Sequence, residues 1–219
     1  MIADTIRVAL IDDHRVLLDS MKDRINQEPG FTIVGSSNST DEALEMLKST
    51  APDVLLCDIE MPGKSVFAVI EEAAQFLPNL KVVILTGYLA DAFVEQVIRN
   101  RLSGYLMKGE PIERILDSIR RVTLGEQCFS PEVLQRLHFD STHRNYVMKN
   151  PSVLSSLTGR QLEVMRLLAQ GSSVKEVAKQ LSLSEKSVDS HKYRLMYKLG
   201  IHDRVELTRL AIREGLMFP

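Results

Sequence analysis

The sequence predicts a doubly wound α/β domain with a five-stranded parallel sheet, followed by an all-α domain of four helices. Three observations predict it. Short apolar runs alternate with helical patterns five times within residues 1–124, the order of a parallel sheet with crossover helices. Four of those runs end in a polar side chain: Asp12 and Asp13, Asp58, Thr86 and Lys108. Residues 153–219 lack any strand pattern and repeat apolar side chains at helical spacing.

The elements follow in order. IRVALI (6–11) is a mostly apolar strand that runs into Asp12 and Asp13. Val16, Leu17, Leu18, Met21 and Ile25 space a helix over 14–28, which Pro29 and Gly30 end. FTIVGS (31–36) is a short strand. Ser39 and Glu42 have the spacing of a capping box for a helix through Leu47. Val54, Leu55, Leu56 and Cys57 are apolar without interruption, as in a strand covered on both faces. They deliver Asp58 to its carboxyl end, where open α/β sheets bind ligands. Pro62 and Gly63 then turn the chain. A helix over 65–75, the strand KVVILT (81–86), a helix over 91–99, the strand GYLMK (104–108) and a helix after Pro111 complete the alternation.

Composition sets limits. A hydrophobic share of 44% with 26% charged residues is that of a soluble globular chain. No apolar run approaches the roughly 18 residues that cross a bilayer, so no membrane role is expected. The N-terminus lacks a signal-peptide layout. Cys57 and Cys128 form no CxxC pair, as expected in a reducing cytoplasm. Charge is divided: residues 153–219 hold 11 Lys and Arg against 7 Asp and Glu, a net of +4, whereas residues 1–152 hold 16 against 22, a net of −6. An acidic front and a basic back predict two domains with different partners, the basic one a candidate for nucleic acid.

The strand tips carry the chemistry. Three clustered carboxylates repel one another unless a cation joins them, and hard oxygen ligands suit Mg²⁺. A hydroxyl (Thr86) and an ammonium (Lys108) beside them suit a phosphoryl group, whose oxygens need positive charge. The chemistry read from these residues is phosphoryl transfer onto an Asp.

These pieces, Asp12-Asp13, DIEMPG with Asp58, Thr86 in ILTG and Lys108 in GYLMK, make residues 1–124 resemble the receiver domain of two-component response regulators, a flavodoxin-like fold. The resemblance implies that Asp58 accepts phosphate from a sensor histidine kinase. It implies Mg²⁺ bound by Asp13, Asp58 and the main-chain carbonyl of Glu60, with Asp12 acting through water. Thr86 would bond the phosphoryl oxygens and Lys108 would pair with them. Tyr105 matches the aromatic that turns inward when Thr86 is drawn to the phosphate. Two positions depart from the family: Val66 stands where Gly is usual, and Gly109 follows Lys108 where Pro is common.

Residues 125–152 read as a linker, with a short helix near Pro131 and a flexible polar tether over 140–152. Beyond it, Thr158 with Gln161 and Ser173 with Glu176 have capping-box spacing, and Gly171 stops the helix between them. Helices are predicted over 159–170, 174–181, 185–199 and 203–215. Only Ser182, Leu183 and Ser184 join the second to the third, the tight connection of a helix-turn-helix, whose second helix enters the major groove. LTGRQLEVMRLLAQG, VKEVAKQLSLSEKSVDSH and KLGIHDRVEL make residues 156–213 resemble the LuxR-type DNA-binding domain of the NarL/FixJ group.

That resemblance makes 185–199 the recognition helix. Lys186, Ser187, Asp189, Ser190, Lys192, Tyr193 and Arg194 are its candidate DNA contacts, with His191 toward the backbone. Lys175, Lys198 and Arg204 are candidates for phosphate contacts. Asp189 stands where the family commonly has Lys; it either accepts from cytosine N4 or narrows the permitted sites by repelling phosphate.

The expected protein is a cytoplasmic, phosphorylation-controlled DNA-binding regulator, a homodimer when phosphorylated, with no enzymatic role beyond its own phosphotransfer and dephosphorylation. Dimer surfaces are expected on 91–124 or 14–28 of the receiver, and on 203–215. Two rivals stand beside it. An aspartyl phosphatase expects a second Asp two residues after Asp58, where Glu60 stands. A phosphate-independent DNA-binding regulator would use the receiver only as an interaction module, which Val66 leaves open.

Overall fold

The computed structural model describes residues 5–217. They fall into two compact units, one built from 5–87 and 101–131, the other from 88–100 and 132–217.

The first unit is a parallel sheet with helices. Its strands are β1 (Ile6–Ile11), β2 (Phe31–Ser37), β3 (Val54–Cys57), β4 (Lys81–Thr86), β5 (Gly104–Met107) and β6 (Cys128–Phe129), in the order β2-β1-β3-β4-β5-β6. The expected five strands are present, and a sixth follows from the linker, where Cys128 and Phe129 pair in parallel with Gly104 and Tyr105. Two residues are too few to show a strand period in sequence. Gly104 permits the pairing, because a Cβ there would meet the Cys128 carbonyl at 2.2 Å.

The helices of this unit are α1 (Arg15–Gln27), α2 (Thr40–Thr50), α3 (Val66–Ala74) and α5 (Ile112–Thr123); α4 (Asp91–Arg99) lies in the second unit. One sheet face is sealed by α1 and α5: Leu18, Met21, Ile25, Ile115, Leu116, Ile119 and Val122 share a core with Val8, Leu10, Val54, Leu56, Val83 and Leu85. Period-2 alternation puts Ala9, Leu55 and Ile84 on the other face, each fully buried. The α2 helix runs to Thr50, three residues past its expected end. Its Ser39 cap accepts from the Asp41 amide, so the expected reciprocal box with Glu42 is not formed.

In the second unit the expected tether is a hairpin. After α6 (Pro131–Leu134), β7 (Leu137–Asp140) and β8 (Asn145–Met148) pair antiparallel. The Asp140 carboxylate closes the turn by accepting from the amides of Thr142 and His143, and Phe139 meets Tyr146 edge to face. The polar composition of 140–152 conceals this, because the turn is held by side-chain to backbone bonds rather than by an apolar stripe.

A 3₁₀ turn (Val153–Ser156) leads to α7 (Gly159–Ala169), α8 (Val174–Gln180), α9 (Glu185–Leu199) and α10 (Arg204–Arg213). Both capping boxes form as expected. Gly171 leaves α7 with φ +103°, a conformation that favours glycine. Leu162, Met165, Val177, Val188, Leu195 and Ala211 are fully buried between the helices. Helix α4 packs in this unit against α7, β8 and the 3₁₀ turn. Its polar side chains are all engaged there: Asp91 with Arg136, Glu95 with the Ser152 amide at 2.7 Å, Gln96 with the Leu157 carbonyl at 2.9 Å, and Arg99 with the Ser155 carbonyl.

Candidate functional site

Sheet register assembles the pocket. The β1–β3 pairing sets Ile11 beside Cys57, so the next residues, Asp12 and Asp58, leave the sheet side by side. The Asp58 amide donates to the Ile11 carbonyl at 2.9 Å. The β4–β5 pairing sets Thr86 beside Met107, and the Lys108 amide donates to the Thr86 carbonyl at 2.9 Å. Four sequence-distant tips therefore meet at one sheet edge because their strands stop in step.

Lys108 Nζ lies 2.7 Å from Asp58 Oδ2 and 2.7 Å from Asp12 Oδ2. Asp58 is only 2% exposed, Asp12 7%, and Thr86 is fully buried. Burial works against the charged Lys108 amine, but hydrogen bonds to Asp12 and Asp58 and their charges outweigh it, so its pKa is raised. Ligand atoms of Asp12, Asp13, His14 and Asp58 lie within 4.8 Å of one another. One ammonium thus faces three carboxylates. The excess negative charge and the hard oxygen donors fit a divalent cation such as Mg²⁺. The Cys57 thiol, raised well above its usual pKa by burial and by Asp58 and Asp12, is an inert strand residue.

The sequence reading missed His14, whose Nδ1 is 2.7 Å from Asp13 Oδ1. It also missed the support of the acceptor loop. Buried Thr40 places its hydroxyl 2.8 Å from the Pro62 carbonyl and 2.9 Å from that of Lys64. Gly63 has φ +96°, and a Cβ there would meet Thr40 Oγ1 at 2.7 Å. The Glu60 amide donates to Asp58 Oδ1 at 3.2 Å. Val66, the departure noted above, is the buried first residue of α3. Thr40 lies 18 residues before Asp58, so no local pattern links them. Tyr105 is fully buried on β5, and no peptide bond among the described residues is cis.

The second candidate surface is α9. Ser184 caps it by accepting from the Ser187 amide, and the Ser187 hydroxyl pairs with that of Ser184. Lys186 and Arg194 are exposed and make no ion pair among the described residues, as does Lys175 on α8. Lys192 pairs with Asp189 at 3.3 Å. The Ser190 hydroxyl donates back to the Lys186 carbonyl, which leaves it only acceptor capacity. His191 is half-buried, and burial with Arg160 and Arg194 nearby lowers its pKa. Tyr193 is 72% exposed.

Two of the expected phosphate contacts already have main-chain partners. Lys198 Nζ donates to the Ser156 carbonyl at 2.8 Å and to Gln161 Oε1. The Arg204 guanidinium donates to the carbonyls of Leu168 and Ser172. Both cations satisfy main-chain acceptors at turns of this unit, a structural use that exposed charge in a sequence does not reveal.

Residues 8–120 match the family described as the response regulator receiver domain, and residues 155–211 match bacterial regulatory proteins of the luxR family. The chain is 31% identical to the response regulator UvrY of Escherichia coli K12 over 211 residues, 96% of this chain and 95% of that one. It is 29% identical to the response regulator GacA of Pseudomonas aeruginosa over 97% of this chain and 98% of that one. The RcsB response regulator of Salmonella typhimurium has a similar fold, with TM-score 0.73 and 22% identity over 97% of this chain and 99% of that one. RcsB is also described bound to a promoter in the presence of a phosphomimetic, with TM-score 0.69 and 23% identity over 94% of this chain and 98% of that one. The chain belongs to the two-component response regulators of the NarL/FixJ group, a receiver domain joined to a LuxR-type DNA-binding domain.

Proposed function

We propose that Asp58 accepts a phosphoryl group from a sensor histidine kinase and that this controls how α9 meets double-stranded DNA. A carboxylate oxygen of Asp58 forms the new bond to phosphorus as the bond from phosphorus to the kinase imidazole nitrogen breaks. The observation that carries the reading is Lys108, held against both Asp58 and Asp12. Its ammonium stands where the added phosphate charge needs compensation. Asp13, Asp58 and the Glu60 carbonyl would hold Mg²⁺, with Asp12 through water. Bound there, the cation would offset the repulsion between the carboxylates and the incoming phosphoryl group. Thr86 bonds the phosphoryl oxygens, and Tyr105 follows its movement.

Thr86 is two residues ahead of the segment 88–100, whose α4 side chains are bonded to the 3₁₀ turn and its neighbours. A displacement at Thr86 therefore passes along the chain into the unit that carries α9. On α9, Lys186, Lys192 and Arg194 meet phosphates and Ser190, Tyr193 and Asp189 face base edges; Lys175 adds a phosphate contact from α8. The phosphorylated form is a homodimer, paired through α10, where Val205 and Ile212 are exposed apolar side chains. Among the described residues no helix is long and apolar enough to cross a membrane; a cytoplasmic location follows from the kinase and DNA partners. The protein has no catalytic turnover beyond its own phosphotransfer and dephosphorylation.

The test is DNA selection with the full chain, with and without acetyl phosphate and Mg²⁺, followed by affinity measurement on the selected duplex. Acetyl phosphate should change the affinity of the wild type and leave Asp58→Asn unchanged. Binding by the wild type that does not respond to acetyl phosphate would instead favour the phosphate-independent regulator.

A further inference from the structure

The recognition helix carries two aromatic side chains for which the fold has no use. Val188 and Leu195, fully buried, fix its inner face. Lys186, Ser190, Tyr193 and Tyr197 recur at i, i+4, i+7 and i+11, one stripe on the opposite face. Tyr193 is 72% exposed and Tyr197 81%. Their rings are nearly parallel, at 16°, with centroids 6.5 Å apart. Each large ring left in water is apolar area that becomes favourable only when something covers it.

Charge says what covers it. Unpaired Lys186 heads the stripe and unpaired Arg194 flanks it, while on the other flank Asp189 is paired with Lys192. That pattern fits a groove walled by phosphates rather than an apolar protein face. In the major groove the apolar feature open to a ring is the thymine 5-methyl group. The spacing agrees: 6.5 Å is close to two base-pair rises, about 6.8 Å for a helix lying along the groove.

We propose that Tyr193 and Tyr197 act together as a reader of thymine methyl groups, set two base pairs apart, and so help fix which DNA sites the protein accepts. This rests on the DNA-binding reading above and adds the base feature read. Tyr197, toward the end of α9, thereby becomes a specificity-determining residue beyond those named from the sequence.

The experiment uses the full chain with acetyl phosphate and the duplex selected from a random library. Each thymine is replaced in turn by uracil, which removes only the methyl group. Loss of one buried methyl should weaken binding about fourfold at each of two positions separated by one base pair. Tyr193→Ala and Tyr197→Ala should weaken binding to the thymine duplex and each abolish one of the two uracil effects. Tyr193→Phe and Tyr197→Phe should keep them, because the ring face remains. A selected duplex whose affinity is indifferent to uracil, or uracil effects that survive both alanine variants, would overturn the inference while leaving DNA binding intact. Failure to enrich any duplex would overturn the DNA-binding reading itself, and this inference with it.

Discussion

Lys108 Nζ sits 2.7 Å from Asp58 Oδ2, so the residue proposed to receive phosphate is already paired with the ammonium proposed to steady it. Lys108→Met removes the ammonium that touches both Asp12 and Asp58. Two unit charges about 4 Å apart interact by roughly 4 kcal/mol at an effective dielectric near 20. The variant should therefore bind Mg²⁺ at least about tenfold more tightly, since the pocket gains a net negative charge. Titration calorimetry reads this directly, and unchanged or weaker binding would show that Lys108 does not set the pocket's charge.

The acceptor loop depends on a close fit at Gly63. Its φ of +96° is a conformation that side chains rarely adopt, and a Cβ would press on Thr40 Oγ1. Gly63→Ala should cost about 1–3 kcal/mol of stability and slow phosphorylation at Asp58. Thr40→Val should cost about 1–2 kcal/mol by leaving the Pro62 and Lys64 carbonyls without their hydroxyl. Urea unfolding of each variant, beside its rate of phosphorylation by acetyl phosphate, checks both effects.

Glu95 supplies a pH dependence. It is buried, accepts from the Ser152 amide through Oε1, and leaves Oε2 without a partner. Burial raises its pKa most, the Ser152 hydrogen bond and Arg99 oppose this, and Asp91 and Glu214 add to the rise. A carboxyl whose pKa is higher folded than unfolded holds its proton better in the folded state. Stability from this group is then present at low pH and declines as pH rises from about 4.5, the unfolded value, through the raised folded value. Glu95→Gln should flatten the profile over that window and keep the bond from Ser152. Thermal melts of both proteins from pH 4 upward test it, and parallel profiles would contradict it.

Arg204 and Lys186 separate a cation bonded to the main chain from one proposed to face DNA. Arg204→Ala leaves two carbonyls bare, so it should destabilise the second unit by about 1–3 kcal/mol. Lys186→Ala should leave melting unchanged and reduce the slope of log affinity against log salt by about 0.9. Melting curves and salt titrations of the two variants should show these opposite patterns.

Much of this was legible in the sequence, for reasons visible in particular residues. The strand tips at Asp12, Asp58, Thr86 and Lys108 were readable because mostly apolar runs end abruptly in them, and register then brings them together. The α7 and α8 starts were readable because both capping boxes lie within four residues. The contribution of Thr40 to the acceptor loop was not, because it reaches 22 residues along the chain. The β7–β8 hairpin was hidden by polar composition, and the main-chain bonding of Arg204 by the resemblance of any exposed arginine to a phosphate ligand.

The most direct measurement is peptide mass mapping of the full chain after acetyl phosphate treatment with Mg²⁺. The account predicts one phosphoryl adduct, on the peptide that contains Asp58, absent in Asp58→Asn and reduced when Mg²⁺ is withdrawn. An unmodified chain, or an adduct that persists in Asp58→Asn, would contradict it.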